Sequence, residues 1–105
     1  MEMDISIIYM TAKDEGEAEK IVTALLDEGL IACGNIFPVR SIYSWKGKRE
    51  DGKEAAVIMK TRSIKVLSAI DRIKELHSYE VPEIISFKVD KGNKDYLLWV
   101  NGESR

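Results

Sequence analysis

Apolar residues occur in short runs and at helical spacing along the chain, and clusters of glycine, proline and charged residues separate them. The first run covers residues 5–10 and is rich in β-branched and aromatic side chains, which favour strands. It predicts a short buried strand, followed by a turn at residues 11–13.

A helix is predicted after this turn. Asp14 is placed to cap its start, and Glu17 stands three residues later in a capping-box arrangement. Apolar residues then recur three and four positions apart and form one stripe: Ala18, Ile21, Val22, Leu25 and Leu26. Gly29 is expected to end the helix in the left-handed conformation that glycine adopts easily.

The stretch at residues 31–47 is the longest extended-looking run in the chain. Its apolar residues fall on both sides of any strand drawn through it, and such a strand needs cover on both faces. A chain of 105 residues covers one face with its own helices, so the other face predicts contact with a partner. Gly34 and Pro38 interrupt the run, and we expect a bend near Pro38 that divides it into strands at about 31–37 and 40–46.

A long β-hairpin is predicted from this stretch and the one that follows it. Residues 48–52 are polar with a glycine at each shoulder, so we expect them to form the tip of the hairpin. Residues 55–61 then return as a strand. An arm of this length extends past its own domain.

The second half of the chain predicts a helix, a loop, a strand and a terminal helix. Ser63 is placed to cap the first of these helices, whose apolar positions recur at three- and four-residue spacing: Ile64, Leu67, Ile70, Ile73 and Leu76. A proline within residues 77–83 predicts a loop there, because proline does not continue a helix. A strand at residues 84–89 and a short helix that starts at Asn93 or Lys94 complete the chain.

The predicted order of elements is that of an α+β protein, a ferredoxin-like βαββαβ sandwich with a long β-hairpin and a short C-terminal helix. We expect a single domain over residues 1–105. Two helices cover one face of such a sheet. The open face would carry several apolar side chains, which mark an interface in a small domain. A cyclic homo-oligomer joined by the hairpin arm is therefore predicted.

Composition and charge narrow the classes of partner. Hydrophobic residues make up 45% of the chain and charged residues 32%, with a net charge of −2; this is typical of a globular domain and argues against disorder. The basic run at residues 46–49 is followed at once by Glu50 and Asp51, so no nucleic-acid partner is expected. No apolar run approaches the ~20 residues of a membrane span, and the N-terminus is acidic where a signal peptide is basic. These features predict a cytoplasmic protein with no membrane partner.

His77 is the only histidine and the first candidate for a site. One interpretation makes it a metal ligand or proton carrier, with Glu80 or Glu83 as a helper. The other makes it a residue whose partial positive charge suits the end of a helix. Cys33 is the only cysteine. It is either a soft metal ligand or nucleophile, or a small buried residue, which is the usual role of a free cysteine. The four methionines are scattered and predict core packing rather than a Cu(I) site.

Tyr43 and Trp45 share one face of a predicted strand. They either stack on a base or a small ligand, or pack in an interface.

RNA-recognition domains and acylphosphatases share the predicted fold. However, residues 57–60 lack the aromatic-rich motif of the first class, and residues 10–14 lack the glycine and arginine of the phosphate loop that the second class needs. No catalytic motif is present, so no enzyme activity is expected.

Several motifs, in order and spread from about residue 5 to residue 100, resemble the CutA family of divalent-cation tolerance proteins. They are LIACGNI at 30–36, SIYSWKGK at 41–48, KT at 60–61, HSYEVPEI at 77–84 and DYLLW at 95–99. The resemblance implies a ferredoxin-like fold in a tight homotrimer locked by strand pairing between subunits, a cytoplasmic location in microbes, and an association with tolerance to copper and other divalent ions. Some members bind Cu(II). The trimer is similar to that of PII signalling proteins, whose clefts between subunits bind small effectors.

The resemblance also implies where copper would bind, and this chain departs from that pattern. In enterobacterial relatives, the ligands attributed to the family are a cysteine at the end of the first strand and two adjacent histidines before the loop. Here those positions read Met10, Leu76 and His77. Only His77 carries over as a metal ligand.

Functions from different classes are therefore expected. The first is a homotrimer that binds Cu(II) or another divalent metal weakly at His77, with no cofactor required. The second is a PII-like module that binds a small ligand or a protein partner in clefts between subunits. These clefts would be lined by Tyr43, Trp45, Lys60, Tyr79 and Glu83. The third is a purely structural trimer whose partner is another protein.

Overall fold

The computed structural model describes residues 4–105, so the first three residues of the predicted domain lie outside it. Four strands and three α-helices alternate along the chain, and a 3-10 turn at Ser63–Lys65 precedes the second helix. They are β1 Ile5–Ala12, α1 Glu15–Asp27, β2 Cys33–Trp45, β3 Lys48–Arg62, α2 Val66–Leu76, β4 Ile84–Lys88 and α3 Lys94–Glu103. The sheet order is β2-β3-β1-β4, and every neighbouring pair is antiparallel. This is the ferredoxin-like α+β sandwich that the sequence predicted.

Helix α1 begins and ends as its sequence predicts. The Asp14 side chain accepts a hydrogen bond from the Glu17 backbone N–H (2.8 Å), and the Glu17 carboxylate accepts one from the Lys13 N–H (3.0 Å). These bonds satisfy amides that have no partner inside the helix. Gly29 follows the helix with φ of +71°, and the Leu30 N–H closes the last turn on the Leu25 carbonyl.

The hydrophobic core lies between the sheet and the helices α1 and α2. Side chains alternate along a strand, so every second residue of β1 and β3 faces this helix layer. The buried residues of this cluster are Ile8, Met10, Ala12, Ala18, Ile21, Val22, Leu25, Ile31, Ala55, Val57, Met59, Ala69 and Ile73. Burial of these side chains is what holds the helices on the sheet.

The opposite, open face of the sheet is also apolar. The register places Ile7 beside Phe87 and Tyr9 beside Ile85. Phe87 and Ile85 are 54% and 55% exposed. Helix α3 covers only one end of this face, where Val100 packs in a small second cluster. The expected apolar open face is therefore present, and residues 4–105 leave most of it uncovered.

The hairpin differs from its prediction in two ways. Strand β2 runs unbroken through Pro38, which is paired opposite Ala55, so the expected division into two strands is wrong. An edge strand tolerates proline because one side of it forms no ladder bonds. The expected tip at residues 48–52 is also wrong, because these residues are part of β3. The turn is instead Lys46–Gly47, with φ of +51° and +78°, as in the two-residue turns that match strand twist.

The distal half of the hairpin extends beyond the sheet. Strand β1 ends opposite Ala55, so residues 39–45 and 48–54 pair only with each other; we call them the arm. Arg40 donates two hydrogen bonds to Asp51 across the arm (2.9 and 2.7 Å), and this contact lowers the pKa of the Asp51 carboxyl. A two-stranded ribbon is marginally stable in water, so the arm needs a further contact.

The start of the second helix also differs from its prediction. Ser63 forms no side-chain cap and begins the 3-10 turn, while its hydroxyl lies 2.6 Å from that of Ser6. Ile64 lies in the 3-10 turn, and repeated three-residue steps drift around an α-helix. The buried face of α2 therefore contains Ala69 and Ile73, whereas Ile64 and Leu67 are each 77% exposed. None of the described helices is long and apolar enough to cross a membrane.

We predict that Gly34→Ala lowers the free energy of unfolding by about 1–3 kcal/mol. A Cβ at Gly34 would lie 3.1 Å from both Val22 methyl carbons, beneath α1. Gly52→Ala is the matched control in the same hairpin, because its Cβ would meet nothing within 4 Å. Urea unfolding of the three proteins measures the difference. Equal stability of the two variants would contradict this account of the packing.

Candidate functional site around His77

His77 follows α2 as its C-cap residue, and its ring meets the end of β1. Its Nε2 lies 2.7 Å from the Thr11 backbone oxygen, and its Nδ1 accepts a hydrogen bond from the Tyr79 backbone N–H at 3.0 Å. A carbonyl oxygen only accepts and an amide N–H only donates, so these partners assign the proton to Nε2 and the lone pair to Nδ1. Both ring nitrogens are therefore in use.

Besides the contact with His77, hydrogen bonds connect the loop at residues 78–83 to α1, β3 and β1. The Ser78 N–H donates to the Glu17 carboxylate on α1 (2.9 Å). The Tyr79 hydroxyl donates to Glu54 on β3 (2.6 Å). Thr11 on β1 donates its backbone N–H to the Glu83 carbonyl (3.4 Å) and its hydroxyl to the Glu83 carboxylate (3.3 Å). Residues distant in sequence therefore meet at the root of the arm.

Burial and charge perturb several groups here. Burial raises the pKa of Tyr79, as do the hydrogen bond to Glu54 and the negative charge of Glu54. Burial also raises the pKa of Tyr9, with the Glu83 and Glu54 charges adding to the effect. Burial opposes ionisation of Glu17, but hydrogen bonds from Ser78 and Lys13 outweigh it, so the pKa of Glu17 falls. The tyrosines stay neutral at neutral pH, so the cluster carries the negative charge of its carboxylates.

A closed metal site is absent from residues 4–105, because no group of three or more His, Cys, Asp or Glu side chains there is placed to hold an ion. Met10 and Met59 are fully buried in the core, as predicted; Met1 and Met3 lie outside the described residues. Cys33 is half-buried, and its sulfur lies 3.5 Å from the Tyr96 hydroxyl. It faces Lys60 of β3, about 13 Å along the sheet from the Thr11 end.

The predicted cleft residues are only partly together in one protomer. Tyr79 and Glu83 lie in the cluster, and Tyr43 is near enough for its charge to influence Tyr79. Lys60 lies six residues along β3 from Glu54, about 20 Å away, where it donates to Asn35. Trp45 ends β2 at the tip of the arm.

Sequence reasoning missed Tyr9, Thr11 and Glu54 as members of this cluster. Tyr9 and Thr11 read as ordinary strand residues, and Glu54 reads as one more charge before an apolar run. The strand register is what places them together. Tyr9 lies opposite Ile58 and Thr11 opposite Ala56, and side chains two residues apart on β3 share a face, so Glu54 lies on the same face. This register joins two strands that are far apart in sequence, so no local sequence pattern marks it.

The chain was compared with known proteins. The model of the CutA1 divalent ion tolerance protein family matches residues 6–103. The divalent-cation tolerance protein CutA of Pyrococcus horikoshii is 48% identical, over 94% of this chain and 97% of its own. That of Archaeoglobus fulgidus is 43% identical, over 91% and 94%. The crystal structure of CutA1 from Pyrococcus horikoshii superposes with a TM-score of 0.91 at 46% identity, over 95% and 98% of the two chains.

The expected cytoplasmic location requires correction. A solved structure from Archaeoglobus fulgidus, with a TM-score of 0.93 at 40% identity over 96% of this chain and 99% of its own, is described as a periplasmic divalent cation tolerance protein CutA. The cytoplasmic expectation rested on the family resemblance and on the acidic N-terminus. A family with a member described as periplasmic does not support it.

The resemblance found in the sequence motifs is confirmed. The family model covers nearly the whole chain, the curated relatives exceed 40% identity over more than nine-tenths of it, and the solved relative has the same fold. The chain therefore belongs to the CutA1 family of divalent ion tolerance proteins.

Proposed function

We propose that this chain serves divalent-cation tolerance as a non-catalytic homotrimer that binds Cu(II) or another divalent cation weakly through His77. The observation that carries the proposal is the double hydrogen bonding of the His77 ring. An imidazole is a good ligand for these cations, but here a cation must displace an existing partner. Glu80 and Glu83, on the same loop, supply carboxylate oxygens as helpers. A single imidazole whose nitrogens are already hydrogen-bonded fits weak cation binding and does not fit a tightly held metal ion.

The trimer is supported by what the single chain leaves uncovered. The open sheet face exposes Ile85 and Phe87, both strands at the sheet edges are unpaired on one side, and the arm lacks a third strand. Exposed apolar area and free strand edges both favour association. A cyclic arrangement, in which each arm reaches over its neighbour, covers all three features.

A second candidate function is binding in a cleft between subunits, resembling PII proteins, and the cluster at the root of the arm favours it. Tyr79 donates to the Glu54 carboxylate, and Tyr9 is near enough to Glu54 and Glu83 for their charges to raise its pKa. Among residues 4–105 no ion pair includes either carboxylate. Aromatic faces and carboxylates together attract cations. The ligand class is therefore an organic cation, and a protein partner would present it as a lysine or arginine side chain. Lys60 and Trp45 would reach this cleft from a neighbouring subunit.

The metal proposal predicts saturable but weak binding of Cu(II) and Zn(II), with dissociation constants in the micromolar to millimolar range. His77→Gln should weaken binding about tenfold or more, because it removes the only imidazole. Isothermal titration calorimetry on tag-free protein measures both values. Glu19→Gln, on the exposed side of α1, is the control for lost negative charge. Tight binding, or binding that His77→Gln leaves unchanged, would contradict the proposal.

The trimer proposal predicts a solution mass three times the 11.9 kDa of the protomer. Phe87→Glu should shift the protein toward monomer at micromolar concentration, because it places a charge in the apolar face. Ile64→Glu is the matched control, since Ile64 is more exposed but lies outside that face. Sedimentation velocity distinguishes the species. A wild-type monomer would overturn the proposal, and so would a trimer that tolerates Phe87→Glu.

The cleft proposal predicts that alkylamines and guanidinium compounds raise the melting temperature, whereas nucleotides and carboxylates do not. Glu54→Gln should remove the effect, because it removes one of the two carboxylates in the cluster. Glu19→Gln should retain it. A thermal-shift screen with both variants provides the measurement. Stabilisation by anions alone would contradict the assigned ligand class.

A further inference from the structure

His77 holds the loop at residues 78–83 with the same lone pair that a metal would need. We propose that His77 is a latch that a divalent cation opens. The cation binds Nδ1, displaces the Tyr79 amide and releases the Tyr79 side chain from Glu54 at the root of the arm. This inference rests on the proposed binding of a cation at His77 and specifies how that binding is regulated.

The two ring nitrogens differ in how readily they accept a cation. Nε2 carries the proton and lies 2.7 Å from the Thr11 carbonyl oxygen, so a metal there would require loss of the proton as well as the bond. Nδ1 carries no proton, and its single lone pair accepts the 3.0 Å hydrogen bond from the Tyr79 N–H. A cation at Nδ1 breaks only that bond. Nδ1 is therefore the entry point.

An occupied Nδ1 excludes the closed loop. The positive charge of the cation faces the positive end of the Tyr79 N–H dipole, so the amide must move away. The Tyr79 ring lies 4.8 Å from the His77 ring, and its hydroxyl is 2.6 Å from Glu54. Displacement of the Tyr79 backbone removes both contacts. The bonds of Ser78 to Glu17 and of Glu83 to Thr11 remain, and they confine the movement to residues 79–82.

The released contact lies where it affects the arm. Glu54 is the arm residue next to Ala55, where β3 meets the end of β1, so it lies at the base of the arm. The hydrogen bond from Tyr79 to Glu54 thus connects the loop to the base of the arm. Cation binding at His77 therefore frees Glu54 and changes the support of the arm, which the proposed trimer uses to reach its neighbour.

The latch makes an unusual prediction for affinity. Contacts that hold the loop closed oppose the cation, so removing one of them should tighten binding. Tyr79→Phe keeps the amide and the ring but removes the hydroxyl bond to Glu54. We expect it to bind Zn(II) about tenfold more tightly than wild type, from the size of a hydrogen bond to a charged group. Tyr43→Phe is the matched control: Tyr43 lies on the arm opposite Glu50, and its hydroxyl makes no hydrogen bond within residues 4–105, so this variant should bind Zn(II) as wild type does.

Calorimetry with Zn(II) on the wild-type trimer and the two variants gives the affinities. Amide hydrogen exchange by NMR gives the loop state: the Tyr79 amide should exchange at least about tenfold faster with saturating Zn(II), while the Ser78 amide should not. Nitrogen-15 shifts of the metal-free ring should report the Nε2–H tautomer.

Tighter binding by Tyr79→Phe alone, or Zn(II) binding seen only in that variant, supports the latch. If wild type binds Zn(II) through His77 but Tyr79→Phe binds no tighter and Tyr79 exchange is unchanged, the latch is refuted while the proposed metal binding stands. If neither protein binds Zn(II) at millimolar concentration, both proposals fail.

Discussion

The rest of the structure depends on one imbalance. The sheet is apolar on both faces, but the helices of residues 4–105 fully cover only one of them. Helices α1 and α2 bury Ile8, Met10 and their neighbours, whereas α3 covers only the Ile5 end of the other face. Apolar area left in water costs about 25 cal/mol per Å². This cost favours association. In the proposed trimer, the arm that projects beyond its own sheet would cover part of this area on a neighbour.

The pattern of apolar residues predicted most of the fold because it reports burial directly. Helix α1 was predicted with both its ends, since Asp14, Glu17 and Gly29 each satisfy a local backbone requirement. The errors arose where local chemistry conflicts with strand pairing. Pro38 suggested a bend and the charged residues 48–52 suggested a turn, but both belong to a two-stranded region where one edge needs no partner and charges remain in water.

The candidate site was less predictable, because it depends on register and not on local sequence. His77 was found because it is the only histidine. Its partners, the Thr11 carbonyl and the Tyr79 amide, are backbone groups, which no sequence pattern marks. Glu54 joins the cluster only because β3 pairs with β1 in the register that sets Thr11 opposite Ala56. A shift of one residue in that pairing would move Glu54 to the helix side of the sheet.

The metal site and the cleft, proposed as separate functions, share the loop at residues 78–83. A ligand in the cleft that holds Tyr79 against Glu54 stabilises the closed loop, and the closed loop occupies Nδ1 of His77. In the proposed latch, a cation at Nδ1 opens the loop and takes Tyr79 from the cleft. Linkage requires the two effects to be equal. If a cleft ligand weakens cation binding by some factor, the cation weakens ligand binding by the same factor. Under the two proposals, a single loop with two hydrogen bonds, His77 to Tyr79 and Tyr79 to Glu54, couples cation binding and cleft binding with opposite sign.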